Sequence, residues 1–169
     1  MHPLSLPAYA PARGRHPRRI LATVATLLVA LTTLITVAPS AHAATRAMKV
    51  RHARSVALNQ LGDWYAYGAA GPNRFDCSGL LYYSTHRAGL TGMPRTAGAQ
   101  AAFTHRIRKS DMRSGDYMFF YGSGGVYHSA IFLAWRNGRA WMVDAPRPGE
   151  RVHRHYAWTS RWFGGTLRH

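Results

Sequence analysis

The sequence predicts an α+β domain in which helices come first and then pack on an antiparallel sheet made from the strands that follow. Two observations carry this reading. From Met48 to Leu61 apolar residues recur at i, i+3 and i+4, and Gly- and Pro-rich connectors separate this stretch from two further helical stretches that end at Phe103. From Asp116 onward the period falls to two, with β-branched and aromatic residues between turn signals. A third observation sets the scale: 169 residues with 47% hydrophobic content suit one globular domain and are too apolar for a disordered polycation.

The first 43 residues stand apart as a secretory signal. Arg13, Arg15, Arg18 and Arg19 form a basic start, Ile20 to Val37 is uncharged and apolar, and Ala41-His42-Ala43 offers small residues at a cleavage site. The expected mature domain is therefore 44–169. An uncleaved membrane anchor is the alternative, because the apolar run is long for a signal core. Its five threonines and the Ala-x-Ala ending favour cleavage, leaving no stable anchor. Arg18-Arg19 also hints at twin-arginine export.

Met48 to Leu61 reads as an amphipathic helix ending at Gly62, and Gly68 to Phe75 as a Gly/Pro/Asn loop. A second helix starts near Cys77 with Asp76 as N-cap and stops at Gly89. Leu90 to Arg95 is a connector, and Thr96 to Phe103 holds a short helix. Strands are expected at Asp116–Tyr121, Tyr127–Trp135, Arg139–Asp144, Val152–Tyr156 and Gly165–Arg168.

Twenty-two Lys and Arg against six acids give a net charge of +16, of which +12 remains in 44–169. Such a charge fits an anionic partner: nucleic acid, acidic lipid or a cell-wall polymer. The basic residues are scattered and no nucleic-acid motif accompanies them, which sets nucleic acid aside. One cysteine excludes an internal disulfide framework and a Cys-based zinc cage. All five tryptophans fall in 44–169, and at strand positions they are expected in the core rather than as sugar platforms.

Export would place that lone Cys77 in an oxidising compartment, where an idle thiol is a liability. The bland reading is a small buried residue. Yet Cys77 lies in the first turn of a helix, where unpaired N–H groups and the helix dipole favour a thiolate and can cradle an oxyanion. A nucleophile also needs a base held by a third group. His52, His86 and His105 lie among charges; His153 and His155 alternate on an edge-like strand, where they could pin a metal, but no carboxylate pattern accompanies them. His128 opens the apolar strand beside the Gly122–Gly125 loop, where a polar side chain can face a cleft.

Asp144, ending the next strand, is the candidate orienting group. A strict two-residue Asn137-Gly138 turn would set Asp144 opposite Ile131, away from His128. A three-residue loop, Arg136-Asn137-Gly138, would set it opposite Ala130, on the face of His128 and roughly 7–8 Å from it by backbone. The Cys77, His128, Asp144 set therefore predicts the three-residue loop.

These residues bring out a resemblance that spans Val50 to Arg168. Six segments occur in order: Gly62 to Gly68, Phe75 to Leu80, Met93 to Thr96 with Gln100, Ser114 to Phe120, His128 to Ile131, and Met142 to Pro146. Together they resemble the NlpC-type (NlpC/p-sixty family) papain-like cell-wall peptidases. The resemblance implies a papain-like fold with Cys77 as nucleophile, His128 as base and acid, and Asp144 as orienter. It also implies Tyr65 near the oxyanion, and Asp76 and Ser78 lining the substrate pocket, where they can hold a ligand amine. Asp144 departs from the histidine often found in its place. Ser129-Ala130 replaces a usual Val-Gly, and the β-carbon of Ala130 is expected to narrow the cleft.

The expected function is a secreted, wall-associated monomer that needs no metal or cofactor. It would hydrolyse peptidoglycan stem peptides, by resemblance at a D-glutamyl–diaminopimelate bond, and be held near the wall by its anionic polymers. An amidase or acyltransferase with the same residues, or a non-catalytic wall-binding module, are the alternatives.

Overall fold

The computed structural model describes residues 41–169. The expected signal segment lies outside the described residues, apart from Ala41–Ala43, which form the first turn of helix α1 (Ala41–Leu58). This helix starts earlier than its sequence period suggests and ends sooner. Gln60 and Leu61 donate their N–H groups three residues back, to Ala57 and Leu58, so the chain has already tightened into turns before Gly62 at φ +94°. Val50, Ala53 and Ala57 are its buried stripe.

Short strands β1 (Trp64–Tyr65) and β2 (Arg74–Phe75) pair in parallel and lead into α2 (Cys77–Arg87). The expected Asp76 cap is present: its carboxylate accepts from the Gly79 N–H at 2.7 Å. The expected stop is present too. Gly89 sits at φ +72°, with its N–H on the His86 carbonyl and the Leu90 N–H on that of Thr85, a Schellman ending. Helix α3 (Ala97–Phe103) follows.

Six antiparallel strands then make the main sheet: β3 (His105–Ile107), β4 (Tyr117–Gly122), β5 (Gly125–Arg136), β6 (Arg139–Asp144), β7 (His153–Tyr156) and β8 (Trp162–Thr166). Their spatial order is β3-β8-β4-β5-β6-β7. Strand β3 is not among the expected strands, since His105 lies among charges; its register against β8 provides the partner that makes it a strand. Strand β8 lies earlier than expected because Gly164 and Gly165, poor strand formers in isolation, are needed there. A β-carbon at Gly164 would strike Met112, and one at Gly165 would strike Thr104 and Phe119.

Strands β4, β5 and β6 bury both faces by alternation along their central residues. Tyr117, Phe119, Ile131 and Val143 pack toward Val50, Leu80 and Leu81 of the helices. Met118, Phe120, Ala130, Phe132 and Met142 pack with Trp162 on the other face. Ala130 is thus fully buried in this second cluster and does not line the cleft, so the expected narrowing by its β-carbon does not occur.

The hairpin between β5 and β6 corrects the expected turn. Arg136 pairs with Arg139, and Asn137 and Gly138 both have positive φ (50° and 72°), so the turn has two residues. The ladder then slips at Leu133: Phe132 pairs with Met142 but Ala134 with Trp141. That bulge adds the residue the turn does not, and continuing the ladder from Ile131–Val143 sets Asp144 opposite Ala130.

Candidate active site

Cys77 is the first residue of α2, so its thiol sits where the helix end presents unpaired N–H groups. The helix is fixed at this end by more than its cap. Gly79 has no room for a β-carbon because the Ala69 carbonyl passes against it, which brings the Gly68–Ala69 loop over the helix start. Gln100, fully buried on α3, donates to the carbonyls of Ser78 (2.8 Å) and Pro94 (2.9 Å). Its side-chain oxygen receives the Ser129 hydroxyl at 3.4 Å. One amide therefore ties the residue after Cys77 to the residue after His128.

A second bulge on β5 aims the strand. Phe120 pairs with His128 but Tyr121 with Val126, leaving Tyr127 as the extra residue, half exposed at the cleft. His128, buried, has its ring hydrogen-bonded to the Cys77 thiol and its Nε2 2.6 Å from Asp144 Oδ2. With Nε2 committed to the carboxylate, Nδ1 is the ring atom left for sulfur. The three residues singled out in the sequence, Cys77, His128 and Asp144, lie in one hydrogen-bonded line.

The electrostatics follow from these contacts. Burial pushes the Cys77 thiol up, but the His128 hydrogen bond and charge, with the Ser129 N–H, outweigh it and lower the thiol below its ordinary value. Burial disfavours a charged His128, yet Asp144 and Cys77 raise it from 6.5 to about 9. Asp144 is fully buried and is held ionised by hydrogen bonds from two imidazoles. Both shifts act in the same direction, toward a thiolate–imidazolium pair.

The second imidazole is His155, whose Nε2 is 2.7 Å from Asp144 Oδ1. Nothing local marks His155 for this contact beyond its alternation with His153. Trp158 lies parallel to the His155 ring (5.9 Å between centroids, 5°), stacks on Phe120 at 4.3 Å and meets His128 edge-on at 5.2 Å. It is half exposed, as are Trp64 and Trp135, contrary to the expected burial; only Trp162 of the five tryptophans is buried. The exposed three cover part of their surface differently: Trp158 by Phe120 and His155, Trp64 under the Arg151 guanidinium, Trp135 beside Phe132 and Trp162.

Two hollows meet at Cys77, and Tyr65, Cys77 and Tyr127 line both. The first, about 470 Å³, also takes in His128, Pro146, Arg147, Glu150, His153, His155 and Trp158. The second, about 600 Å³, takes in Tyr67, Asp76, Ser78, Arg95 and Val126. Tyr65 is kept protonated by burial and by the charge of Cys77, so its hydroxyl remains a hydrogen-bond donor.

Asp76 and Ser78 do line the cleft, but the protein already occupies Asp76. Its oxygens accept from the N–H groups of Gly68 (2.9 Å) and Gly79 (2.7 Å), from the Ser78 hydroxyl (3.2 Å) and from both terminal nitrogens of Arg95 (2.8 and 3.0 Å). Arg95 also reaches the Ser78 hydroxyl and the Ala69 carbonyl. No local pattern marks the role of Arg95, because its pairing is a long-range contact. Among the described residues no group of three or more His, Cys, Asp or Glu is placed to hold a metal ion, and no helix is long and apolar enough to cross a membrane.

The chain is similar in sequence and fold to known proteins. Over 93 residues, 55% of this chain, the sequence is 40% identical to the "Probable endopeptidase p60" of Listeria monocytogenes serovar 1/2a, of which the match covers 18%. It is 36% identical over 108 residues to the "Peptidoglycan endopeptidase RipA" of Mycobacterium tuberculosis, covering 56% of this chain and 22% of that protein. The chain thus spans about a fifth of the length of these curated relatives. The crystal structure of the NlpC/p60 domain of the peptidoglycan hydrolase SagA superposes with a TM-score of 0.62 at 27% identity, over 70% of this chain and 98% of that one. The family model for NlpC/P60 matches residues 62–167, from the turn after α1 to the end of β8. With its papain-like α+β fold, the chain belongs to the NlpC/P60 family.

Proposed function

We propose that the domain is a cysteine endopeptidase that hydrolyses stem peptides of peptidoglycan, at the D-glutamyl–diaminopimelate bond that the family resemblance implies. The observation that carries the reading is the helix-terminal Cys77 against a buried His128 whose far nitrogen is 2.6 Å from Asp144. The printed names of its relatives, an endopeptidase and a peptidoglycan endopeptidase, support the substrate class. In the same reading, residues 1–43 are a cleaved export signal, and the remaining +12 of charge keeps the monomeric enzyme at an anionic wall.

The mechanism uses only this chain's residues. The Cys77 thiolate attacks the amide carbon, and the Cys77 N–H with the Tyr65 hydroxyl takes the developing oxyanion. His128 gives its Nδ1 proton to the departing amine as the C–N bond breaks, leaving a thioester. It then takes a proton from water, whose oxygen attacks the thioester carbon and releases the acid and the thiolate. The first hollow and the second would take the two sides of the cut peptide.

The test is mass spectrometry of muropeptides released from purified wall. Wild type should release fragments with one new amine and one new carboxylate, and Cys77→Ala none above background. Equal release by Cys77→Ala would end the reading.

A further inference from the structure

We propose that His155 is a positioning residue of the site: its Nε2–H holds the second oxygen of Asp144 and so fixes the carboxylate, ionised, in the orientation that meets His128. The proposal rests on the cysteine-peptidase reading and deepens it.

The argument begins with burial. Asp144 has no exposed surface, so its charge must be met by protein donors on both oxygens. Oδ2 faces His128 at 2.6 Å and Oδ1 faces His155 at 2.7 Å. A carboxylate only accepts, so both imidazoles present Nε2–H to it, which fixes the tautomer of each. With His128 alone, the carboxylate could rotate about its bond to Cβ, and one oxygen would be buried without a donor.

The register makes the second contact possible. Asp144 pairs with His153 and Met142 with His155, so His155 is a diagonal neighbour of Asp144 on the same sheet face. Trp158, parallel to the His155 ring and itself stacked on Phe120, holds that ring's plane. The ionisable groups around His155 are Asp144 on β6, His128 on β5 and His153 on its own strand, with ring centroids 4.5 Å away. Arg147, Glu150, Cys77, Tyr65 and Tyr127 line the same hollow.

The test reads Cys77 itself. The rate of its alkylation by iodoacetamide is followed across the acid range, alongside kcat/KM on a stem peptide. Losing one hydrogen bond to a buried carboxylate makes Asp144 easier to protonate. His155→Ala should therefore move the acid limb of both profiles up by about one pH unit. His155→Gln keeps an N–H donor and should restore most of that shift. Arg154→Gln, exposed on the same strand, should leave the limb in place. If His155→Ala does not fold, His155→Phe keeps the ring against Trp158 without the N–H and carries the same expectation.

A His155→Ala profile that overlays wild type, or an equal shift in His155→Gln, overturns the proposal. Alkylation needs no substrate, so the two readings separate. Unshifted limbs in a protein that cuts stem peptides end only the role of His155, whereas a shifted limb without cutting ends only the peptidase reading.

Discussion

Asp76 and Asp144 are both buried acids beside the Cys77–His128 pair, but the protein neutralises them with different chemistry. Around Asp76 the donors are a guanidinium in two-pronged contact, a hydroxyl and two backbone N–H groups. None of these gives up its proton in ordinary conditions; although burial opposes the charge, the Arg95 and backbone hydrogen bonds hold the Asp76 carboxyl below its ordinary range, where it caps α2 and anchors Arg95. Around Asp144 both donors are imidazoles, and in the proposed cycle that of His128 gives up and regains a proton. The first arrangement makes a fixed scaffold for the helix that carries Cys77. The second makes a carboxylate that responds when His128 gains or loses its proton. Asp116, just before β4, likewise takes its donors from a guanidinium, that of Arg168, and a hydroxyl, that of Thr166.

Substituting each acid should break the comparison cleanly, and the largest effect belongs to Asp144. Asp144→Asn keeps the shape but removes the charge that supports the imidazolium, and kcat/KM should fall by about 10³–10⁴-fold. In wild type the alkaline limb should lie near pH 9, where His128 loses the proton it must donate. In Asp144→Asn that limb should move down, since the raised pKa of His128 depends on the carboxylate. An unmoved alkaline limb would refute Asp144 as the source of the shift.

Asp76→Ala should act on stability instead. It removes an N-cap and leaves Arg95 in a half-covered site without its partner, at a cost of about 2–4 kcal/mol in denaturant unfolding. The alkaline limb of any folded fraction should stay where it is in wild type. A smaller effect sharpens the same point. Arg95→Lys keeps the charge but loses the fork, so about 1 kcal/mol of stability should go, with the pH profile preserved. If Arg95→Lys displaced the alkaline limb, the line between scaffold and responsive carboxylate would be misplaced.

Much of this arrangement is legible in local sequence because it is governed by local physics. Asp76 followed by Cys77, Ser78 and Gly79 is a cap and a first helical turn, and Gly89 ends that helix by its left-handed φ. The alternation along 127–135 and 139–144 sets inward and outward faces, so His128 and Asp144 could be named as residues able to meet. The turn between them could not be resolved that way. Asn137-Gly138 forms the two-residue turn its composition favours, and a bulge at Leu133 supplies the added residue. A single bulge exchanges the faces of everything beyond it, and nothing in a two-residue period marks where it falls.

The α+β order, the helix-terminal placement of Cys77 and the chemistry available to it are written locally in the chain, because caps, turns and periodicity act over a few residues. The remainder depends on long-range packing. It put the glycine-rich β8 between β3 and β4, where Met112, Thr104 and Phe119 leave no room for side chains. It joined Arg95 to Asp76 across 19 positions, and it brought His155 to the far oxygen of Asp144. Those contacts depend on which strands lie side by side and in what register. That is set by the simultaneous packing of both sheet faces, a property of the whole domain that no short window of residues contains.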